Sequence, residues 1–228
     1  MRWRRALRLL EAPAGARVLD VGCAFGFGTR MLTKRYECVG LDGSPSYLAR
    51  AQRHVPRATF LQSRAEALPF AGESFDAVVC LEVLEHLADE TPAIEDIRRV
   101  LRPGGELVLS VPHAGALRCW DSLNVHLRKT GRRLSFPLGE PPSGSRWHRH
   151  YSRAQLAKML VGFRIDRVQL TGIGLAEIAN LGLLALCRRN MRLYERLQAV
   201  YFALAVAEDE LPLGQQAYNV MIHARKVV

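Results

Sequence analysis

A glycine-rich turn between Asp20 and Gly28 is the first part of the sequence whose residue types and spacing suggest ligand chemistry. Glycine lets the chain turn sharply and lets a ligand approach the backbone, because it has no Cβ. Gly22, Gly26 and Gly28 follow the pattern G-x-x-x-G-x-G rather than the G-x-G-x-x-G of dinucleotide-binding turns. The spacing therefore argues against a dinucleotide. The alternative is a purely structural turn between a strand and a helix.

Asp42 is the second candidate ligand residue. It follows the next predicted strand, roughly 20 residues after the turn, where an acidic residue holds ribose hydroxyls in doubly wound nucleotide-binding folds. A carboxylate suits a diol because it accepts two hydrogen bonds at once. Together with the turn, Asp42 predicts a ligand that contains a nucleoside. The alternative is an aspartate that only caps a helix.

Two further sets of side chains could do chemistry. His113 follows the fifth predicted strand, where active-site residues often lie in doubly wound folds. It could act as a general base for a hydroxyl substrate, or it could only line the pocket. Glu82, Glu85 and His86 lie about one helical turn apart and could converge on a cation, with His148 or His150 as a further ligand. The same residue pattern also occurs in proteins that bind no metal there, and we predict no metal at this site.

These candidate residues lie at the ends of segments that alternate between strand-like and helix-like patterns. Continuously apolar strands that alternate with helices favour a parallel sheet covered on both faces, which is a doubly wound α/β fold. Strands are predicted at 17–21, 38–41, 58–61, 75–81, 107–111, 163–170 and 217–224, and helices at 29–35, 44–54, 91–101 and 152–161. Ser44 and Ser152 are the expected caps of two of these helices.

Two segments depart from this alternation within what we predict to be a single domain, 1–228. The segment 113–150 is rich in Gly, Pro and basic residues, and ordered loops of that length are uncommon unless they are functional. The segment 173–216 contains two apolar helices beside a cluster of arginines. These helices could rest on an acidic membrane or close over an apolar substrate. They could equally pack into the core or form a dimer interface.

The chain carries a strong positive charge, with 32 Lys plus Arg against 22 Asp plus Glu and a formal net charge of +10. Such a balance favours anionic partners, namely nucleic acid, phosphorylated small molecules or acidic membranes. Much of the charge lies in 113–153 and in the first eight residues. The alternative is a basic surface that is only solvated.

Cysteine usage and hydropathy indicate the compartment. The five cysteines are scattered, without a CxxC pair, so neither a disulfide framework nor a zinc finger follows. The apolar part of the first ten residues is too short for a signal peptide, and no apolar run reaches the roughly 18 residues of a membrane-spanning helix. We expect a cytoplasmic protein, with peripheral contact to the inner face of the membrane as a possibility.

Five blocks in the same order and spacing give the stretch from Val18 to Val111 a family resemblance. They are VLDVGCAFGFGT, GLDGS, RAEALPF, SFDAVVCLEVLEHL and RVLRPGGELVLSVP. The stretch resembles class I S-adenosylmethionine-dependent methyltransferases, in particular the broad small-molecule group. The resemblance implies a Rossmann-like, seven-stranded sheet in which the seventh strand is antiparallel between the fifth and the sixth. It also implies that 113–150 and 173–216 form a substrate lid.

The resemblance implies a role for each matching position, with S-adenosylmethionine as the cofactor. The methionine part would lie against Gly22, Cys23 and Gly26, with Asp20 beneath it. Asp42 would hold the ribose, with Gly43 beside the adenine. Ala65 and Glu66 would flank the adenine edge, and Leu81 would offer its carbonyl to the cofactor amine. Two positions depart from the family pattern. Ala24 replaces a frequent glycine, and Arg64 replaces an aspartate that accepts a hydrogen bond from adenine. Arginine cannot accept one.

The predicted function is methyl transfer from S-adenosylmethionine to a small-molecule acceptor that is apolar or carries an anionic group, as in lipid, quinone or natural-product pathways. His113 is the candidate base. One alternative is an RNA methyltransferase that uses the basic insertion, although Trp120, Phe136 and Trp147 are its only large aromatics suited to stacking on bases. Another is a non-catalytic cofactor-binding module. Both a monomer and a homodimer fit the sequence.

Overall fold

The computed structural model describes residues 2–115, 149–172 and 217–227, together with the isolated helical positions 124, 179, 182, 183, 193 and 197. Most of the two predicted insertions, including His148 and the three aromatics considered for base stacking, lies outside these residues. The described part contains no helix that is long and apolar enough to cross a membrane.

Seven strands form one sheet in the order β3-β2-β1-β4-β5-β7-β6. The strands β1 to β5 run parallel to one another, whereas β7 is antiparallel to both β5 and β6. This confirms the predicted fold class, including the position of the seventh strand. The strands are β1 (Arg17–Val21), β2 (Glu37–Asp42), β3 (Thr59–Gln62), β4 (Phe75–Leu81), β5 (Leu101–Pro112), β6 (Phe163–Thr171) and β7 (Asn219–Lys226).

Helices cover both faces of the sheet. They are α1 (Arg2–Leu9), α2 (Phe27–Leu32), α3 (Pro45–His54), α4 (Thr91–Val100) and α5 (Arg153–Met159), with a short 3-10 helix at Leu84–His86. The predicted caps are present, since Ser44 Oγ accepts from Tyr47 N and Ser152 forms a capping box with Gln155. Each cap therefore sets the start of its helix.

Two apolar clusters lie on opposite faces of the sheet, because successive strand side chains point to opposite sides. Val18 belongs to the cluster formed with α1, α2 and the end of α3, whereas Leu19 belongs to the cluster formed with α4 and α5. We call these the first and the second face. Parallel strands buried on both faces explain why the central strands read as continuous apolar runs.

The start of β5 was predicted wrongly. The strand begins at Leu101, directly after α4, rather than at Leu107, and Pro103-Gly104-Gly105 lies inside it. Leu101 pairs with Phe75, and the register then shifts before Glu106 pairs with Ala77. Gly104 has a φ of 73°. The Pro-Gly-Gly sequence therefore forms an irregularity within the strand rather than the loop before it.

Helix α1 is an element that the sequence patterns did not predict. Ala6 and Leu9 are buried against the first face of the sheet. The ring of Trp3 lies over Gly28, so that a Cβ on Gly28 would overlap it. Arg2 Nη2 lies 3.5 Å from Glu82 Oε2, just beyond β4. The helix therefore begins at the carboxyl edge of the sheet, next to the glycine-rich turn.

Candidate functional site

The glycine-rich turn joins β1 to α2 in a left-handed backbone path. Gly22, Ala24 and Gly26 have φ values of 73°, 45° and 77°. Gly22 N and Cys23 N both donate to Leu41 O, at 2.7 and 2.9 Å, and so attach the turn to β2. Positive φ values explain why glycine stands at two of these positions. Ala24, which departs from the family pattern, adopts the same left-handed backbone conformation although it has a Cβ.

Close packing is a second reason for the glycines in the turn. A Cβ on Gly22 would collide with Val83, and one on Gly26 would lie 3.1 Å from the Cβ of Ala51. Gly22 thus lets the segment after β4 approach the turn, and Gly26 lets α3 approach it. The need for glycine at these two positions therefore follows from packing within the fold, whether or not a ligand binds beside them.

Asp42 connects the turn to the end of β2. Its Oδ2 accepts a hydrogen bond from Ala24 N at 3.0 Å, and its Oδ1 accepts from Ser44 N at 2.8 Å. Burial raises the pKa of Asp42, although the bonds from Ser44 N and Ala24 N act in the opposite direction. Each carboxylate oxygen retains capacity to accept a further hydrogen bond. The carboxylate is therefore held in place beside the turn and can still bind a ligand.

Asp20 is fully buried beneath the turn. Thr29 Oγ1 donates to its Oδ2 at 2.6 Å, whereas Oδ1 has no hydrogen-bond partner among the described residues. Burial is the main reason that the pKa of Asp20 rises to about 7, and the bond from Thr29 only partly offsets it. A buried carboxyl oxygen without a partner is costly, so it points to a missing donor. Thr29 was not among the predicted site residues, although it ends the first sequence block.

The segment after β4 lies on the other side of the glycine-rich turn from β2. Leu81 ends the strand, and Glu82 adopts a φ of 57°. Glu82 N donates to Ser110 O at 3.0 Å, and Ser110 Oγ donates to Glu82 Oε1 at 2.7 Å. Arg2 contacts the other oxygen of Glu82. The unusual backbone of Glu82 is thus held by β5 on one side and by α1 on the other.

The predicted adenine positions lie beyond β3. Ala65 is buried, and Arg64 Nη2 donates to Glu66 Oε1 at 2.7 Å. Ser63 N donates to Asp42 O at 3.2 Å, and Gln62 Nε2 donates to Gly43 O at 3.4 Å. The segment after β3 is therefore attached to the segment after β2. Arg64, which cannot accept a hydrogen bond, instead orients the carboxylate of Glu66.

His113 lies just beyond β5 and is buried. Its Nδ1 lies 3.1 Å from Ala217 O, and its backbone N donates to Tyr218 O at 2.7 Å. A carbonyl only accepts hydrogen bonds, so in the neutral ring this contact places the proton on Nδ1 and the lone pair on Nε2. His113 therefore has the tautomer that a general base needs.

Glu82, Glu85 and His86 do not converge on one point. Glu82 faces Ser110 and Arg2, whereas His86 Nε2 lies 4.0 Å from Glu85 Oε1. Within residues 2–115, 149–172 and 217–227, no three His, Cys, Asp or Glu side chains are grouped closely enough to hold a metal ion.

The carboxyl edge of the sheet brings most of the predicted site residues together. Asp20 lies near the end of β1 and the turn follows it, Asp42 ends β2, and Leu81 ends the adjacent β4. Parallel strands end at the same edge, and ligands of open α/β sheets bind there. His113 follows β5, the next strand, while Ala65 and Glu66 lie beyond β3 at the outer end.

Comparison with known proteins identifies a methyltransferase domain in the same part of the chain. A family model for the methyltransferase domain matches residues 19–109. A protein of Mycolicibacterium smegmatis named "probable S-adenosylmethionine-dependent methyltransferase" is 29% identical over 177 residues, covering 75% of this chain and 62% of that protein. The ubiquinone biosynthesis O-methyltransferase of Cereibacter sphaeroides is 35% identical over 111 residues, covering 45% of each chain. The matched parts thus span about half to three fifths of these relatives' lengths.

A solved structure with a bound cofactor has the same fold. Phosphoethanolamine N-methyltransferase 2 of Haemonchus contortus, in complex with S-adenosyl-L-methionine, has a TM-score of 0.67 and 20% sequence identity, covering 99% of this chain and 53% of that one. Its likeness extends beyond the matched domain to the antiparallel end of the sheet. Residues 19–109 therefore form a methyltransferase domain, and the chain has the fold of class I S-adenosylmethionine-dependent methyltransferases.

Proposed function

We propose that this chain binds S-adenosylmethionine at the carboxyl edge of β1, β2 and β4 and transfers its methyl group to a small-molecule acceptor. The observation that carries the proposal is the arrangement around the turn. Asp42 is fixed beside Ala24, and Asp20 Oδ1 is buried beneath the turn without a partner in the described structure. A nucleoside with a cationic amino acid end supplies hydroxyls for the first carboxylate and donors near the second.

The cofactor fits the donor and acceptor groups of this chain. In this proposal Gly22, Cys23 and Gly26 line the methionine part above Asp20, and the carbonyl of Leu81 accepts from its amine. Asp42 holds the ribose. Gly43, Ala65 and Glu66 flank the adenine, with Arg64 holding the Glu66 carboxylate through a 2.7 Å hydrogen bond.

When bound, S-adenosylmethionine supplies an electrophilic methyl group on a sulfonium. The chain's contribution is to align the acceptor with that group and to exclude water, which supplies most of the rate advantage in such displacements. For a hydroxyl acceptor, His113 Nε2 takes the proton as the new bond forms, since its Nδ1 proton is held by Ala217 O. An amine acceptor with its own lone pair needs no base.

Two features favour an acceptor that is apolar or anionic. One relative acts in ubiquinone biosynthesis, as its name states, and the chain carries a net charge of +10. Peripheral contact with an acidic membrane would bring such an acceptor to the site, and we include it in the proposal. An RNA acceptor and a non-catalytic module remain the competing functions.

Methyl transfer from isotope-labelled S-adenosylmethionine tests the proposal. The acceptor panel contains phenols related to quinone precursors, amines, anionic lipids and RNA. We expect labelled product from a small apolar or anionic acceptor. Transfer to RNA alone would support the first competing function. Cofactor binding without transfer to any acceptor would support the second.

A histidine pair tests the role of the base. His113→Gln removes the Nε2 lone pair from the site, so kcat on a hydroxyl acceptor should fall by about 10²- to 10⁴-fold, while the Kd for S-adenosylhomocysteine stays unchanged. His54→Gln is the matched control, because His54 is exposed at the end of α3. Unchanged kcat in His113→Gln with a hydroxyl acceptor would exclude the base.

A further inference from the structure

Helices α1, α2 and α3 lie side by side on the first face of the sheet. Trp3 of α1 lies on Gly28 of α2, and Gly26, which precedes α2, lies against Ala51 of α3. All three helices contribute to, or end next to, the same apolar cluster. They therefore form one continuous layer.

This layer is charged with one sign only. None of the three helices contains an Asp or a Glu, and their charged residues are all arginines apart from the terminal His54. We call the exposed cations of these helices and of the turns that follow them the basic helical face. It consists of Arg4, Arg8, Arg30, Lys34, Arg35, Arg53 and Arg57.

Most of these cations are not neutralised by neighbouring carboxylates. Arg4, Arg30, Lys34, Arg53 and Arg57 make no ion pair with any residue that the structure describes. The second face differs, because α4 carries Glu95 and Asp96 as well as arginines, and Asp96 pairs with Arg99 at 2.8 Å.

Three acidic side chains near this layer do not cancel its charge. Glu82, at the carboxyl edge, is paired with Arg2, which is not one of these cations. Glu37 begins β2 and therefore lies at the amino edge of the sheet. Glu11 pairs there with Arg167 and Arg225. Lys34, Arg35, Arg53 and Arg57 end or follow their helices and lie toward the same amino edge, where Glu37 opposes four cations. Arg4 lies in the first turn of α1, toward the carboxyl edge. The basic helical face therefore keeps a net positive charge.

Aromatic rings border this face at the carboxyl edge. Trp3 lies in the first turn of α1, Phe27 begins α2, and Tyr47 lies in the first turn of α3. Phe25, in the turn, packs on Tyr47 with a centroid distance of 4.5 Å, and Arg50 lies 4.6 Å above its ring. Phe27 is 53% exposed. We call these four rings the aromatic rim.

We propose that the basic helical face, with the aromatic rim, is the surface through which this protein docks on an anionic phospholipid membrane. Cations attracted to acidic headgroups and aromatic rings at the level of the interface are the combination that peripheral membrane surfaces use. RNA fits less well, because Phe25 and Tyr47 pack on each other and only Phe27 is largely exposed for stacking on a base.

This inference rests on the peripheral membrane contact proposed above and gives that contact a defined surface. The rim lies at the same edge of the sheet as the glycine-rich turn and Asp42. Docking through it would bring the proposed methyl-transfer site next to the lipid. An apolar acceptor dissolved in the bilayer could then reach the site over a short path.

Sedimentation with vesicles tests the inference on the full chain. Wild-type protein should bind vesicles of phosphatidylcholine and phosphatidylglycerol in equal parts, bind pure phosphatidylcholine only weakly, and be released by salt. The variant Arg4→Gln/Arg30→Gln/Lys34→Gln should bind the anionic vesicles about a hundredfold more weakly, since each cation near an acidic surface contributes about 1 kcal/mol. Phe27→Ala should weaken binding further at high salt, where the apolar contact dominates.

The matched control is Arg98→Gln/Arg153→Gln/Lys158→Gln, which removes the same charge from exposed positions on the second face. It should bind vesicles as the wild type does. The inference is overturned if both triple variants lose binding equally, if neither loses it, or if wild-type protein binds a single-stranded RNA but not anionic vesicles. Calorimetric binding of S-adenosylhomocysteine to each variant shows separately whether the cofactor site is intact, so failure of the docking surface is distinguishable from failure of the proposed function.

Discussion

Ala24 and Asp42 are 18 residues apart in the chain, and a 3.0 Å hydrogen bond from Ala24 N to Asp42 Oδ2 joins them. This bond links the glycine-rich turn after β1 to the acidic residue that ends β2. The two features that most strongly suggested a nucleoside ligand are thus one structural unit. Ala24 belongs to this unit even though its φ of 45° is a conformation that favours glycine.

The backbone conformation of Ala24 predicts effects of different size for two substitutions. Ala24→Gly relieves the left-handed strain but makes the unfolded chain more flexible, so the free energy of unfolding should change by less than about 1 kcal/mol. Ala24→Val places a β-branched side chain at positive φ and should lower that free energy by about 1–3 kcal/mol. Urea denaturation measures both. Equal stability of the two variants would contradict the strained backbone.

The buried Asp20 predicts a pH-dependent stability. Its pKa rises from 3.8 to about 7 on folding, chiefly because of burial. The folded state therefore favours the protonated acid, and the stability associated with this group is present below pH 4 and is lost as the pH rises to 7. Asp20→Asn stays neutral and avoids that loss. Relative to wild type, it should gain up to ~4 kcal/mol in free energy of unfolding between pH 4 and pH 8.

Urea denaturation across this pH range measures the difference between wild type and Asp20→Asn. Thr29→Val is an informative companion, because it removes the hydrogen bond that lowers the pKa of Asp20. In that variant the loss of stability should extend to higher pH. A difference between wild type and Asp20→Asn that does not vary with pH would show that Asp20 does not titrate in this range.

A buried carboxylate at the opposite edge, that of Glu106, predicts the reverse pH dependence. Glu106 Oε2 lies 3.3 Å from His223 Nε2 and accepts from Glu11 N at 2.8 Å. Burial raises the pKa of Glu106, but the bonds from His223 and Glu11 N and the charge of Arg225 outweigh it, so the net shift is downward. Its stabilisation is therefore present above pH 4.5 and is lost as the pH falls through the folded pKa.

Glu106→Gln should lower the free energy of unfolding by about 2–4 kcal/mol at pH 7, because it leaves buried partners without their carboxylate. The deficit should shrink toward pH 3. Glu73→Gln is the control. Glu73 is exposed, and its distance of 4.0 Å from Lys226 makes a weak ion pair, so this substitution should change the free energy of unfolding by less than about 0.5 kcal/mol. A constant deficit at every pH would contradict the role of the Glu106 charge.

The sequence determined local elements more clearly than contacts between them. The strands β1 and β4 match their predicted bounds because each is a short apolar run with distinct ends. The caps at Ser44 and Ser152 followed from local hydrogen-bonding chemistry. Helix α1 was missed because its arginines obscure the spacing of the apolar residues that it buries.

One long-range contact at the site could be predicted from the strand pattern, and others could not. The proximity of Asp42 to the turn follows from parallel strands ending at one edge, so it was foreseeable. The bond between Thr29 and Asp20 and the approach of Arg2 to Glu82 depend on how helices pack, which no local pattern encodes. The family resemblance assigned the cofactor positions, but it did not predict these two contacts.

Calorimetric titration with S-adenosylhomocysteine tests the central claim most directly. The wild-type chain should bind one equivalent, and Asp42→Asn should bind roughly 10- to 100-fold more weakly, because an amide cannot replace a carboxylate that accepts from Ala24 N, from Ser44 N and from a ribose. Glu37→Gln, which removes a carboxylate from the exposed start of the same strand, should bind as the wild type does. Absence of binding to the wild-type chain, or equal affinity in Asp42→Asn and wild type, would contradict the account.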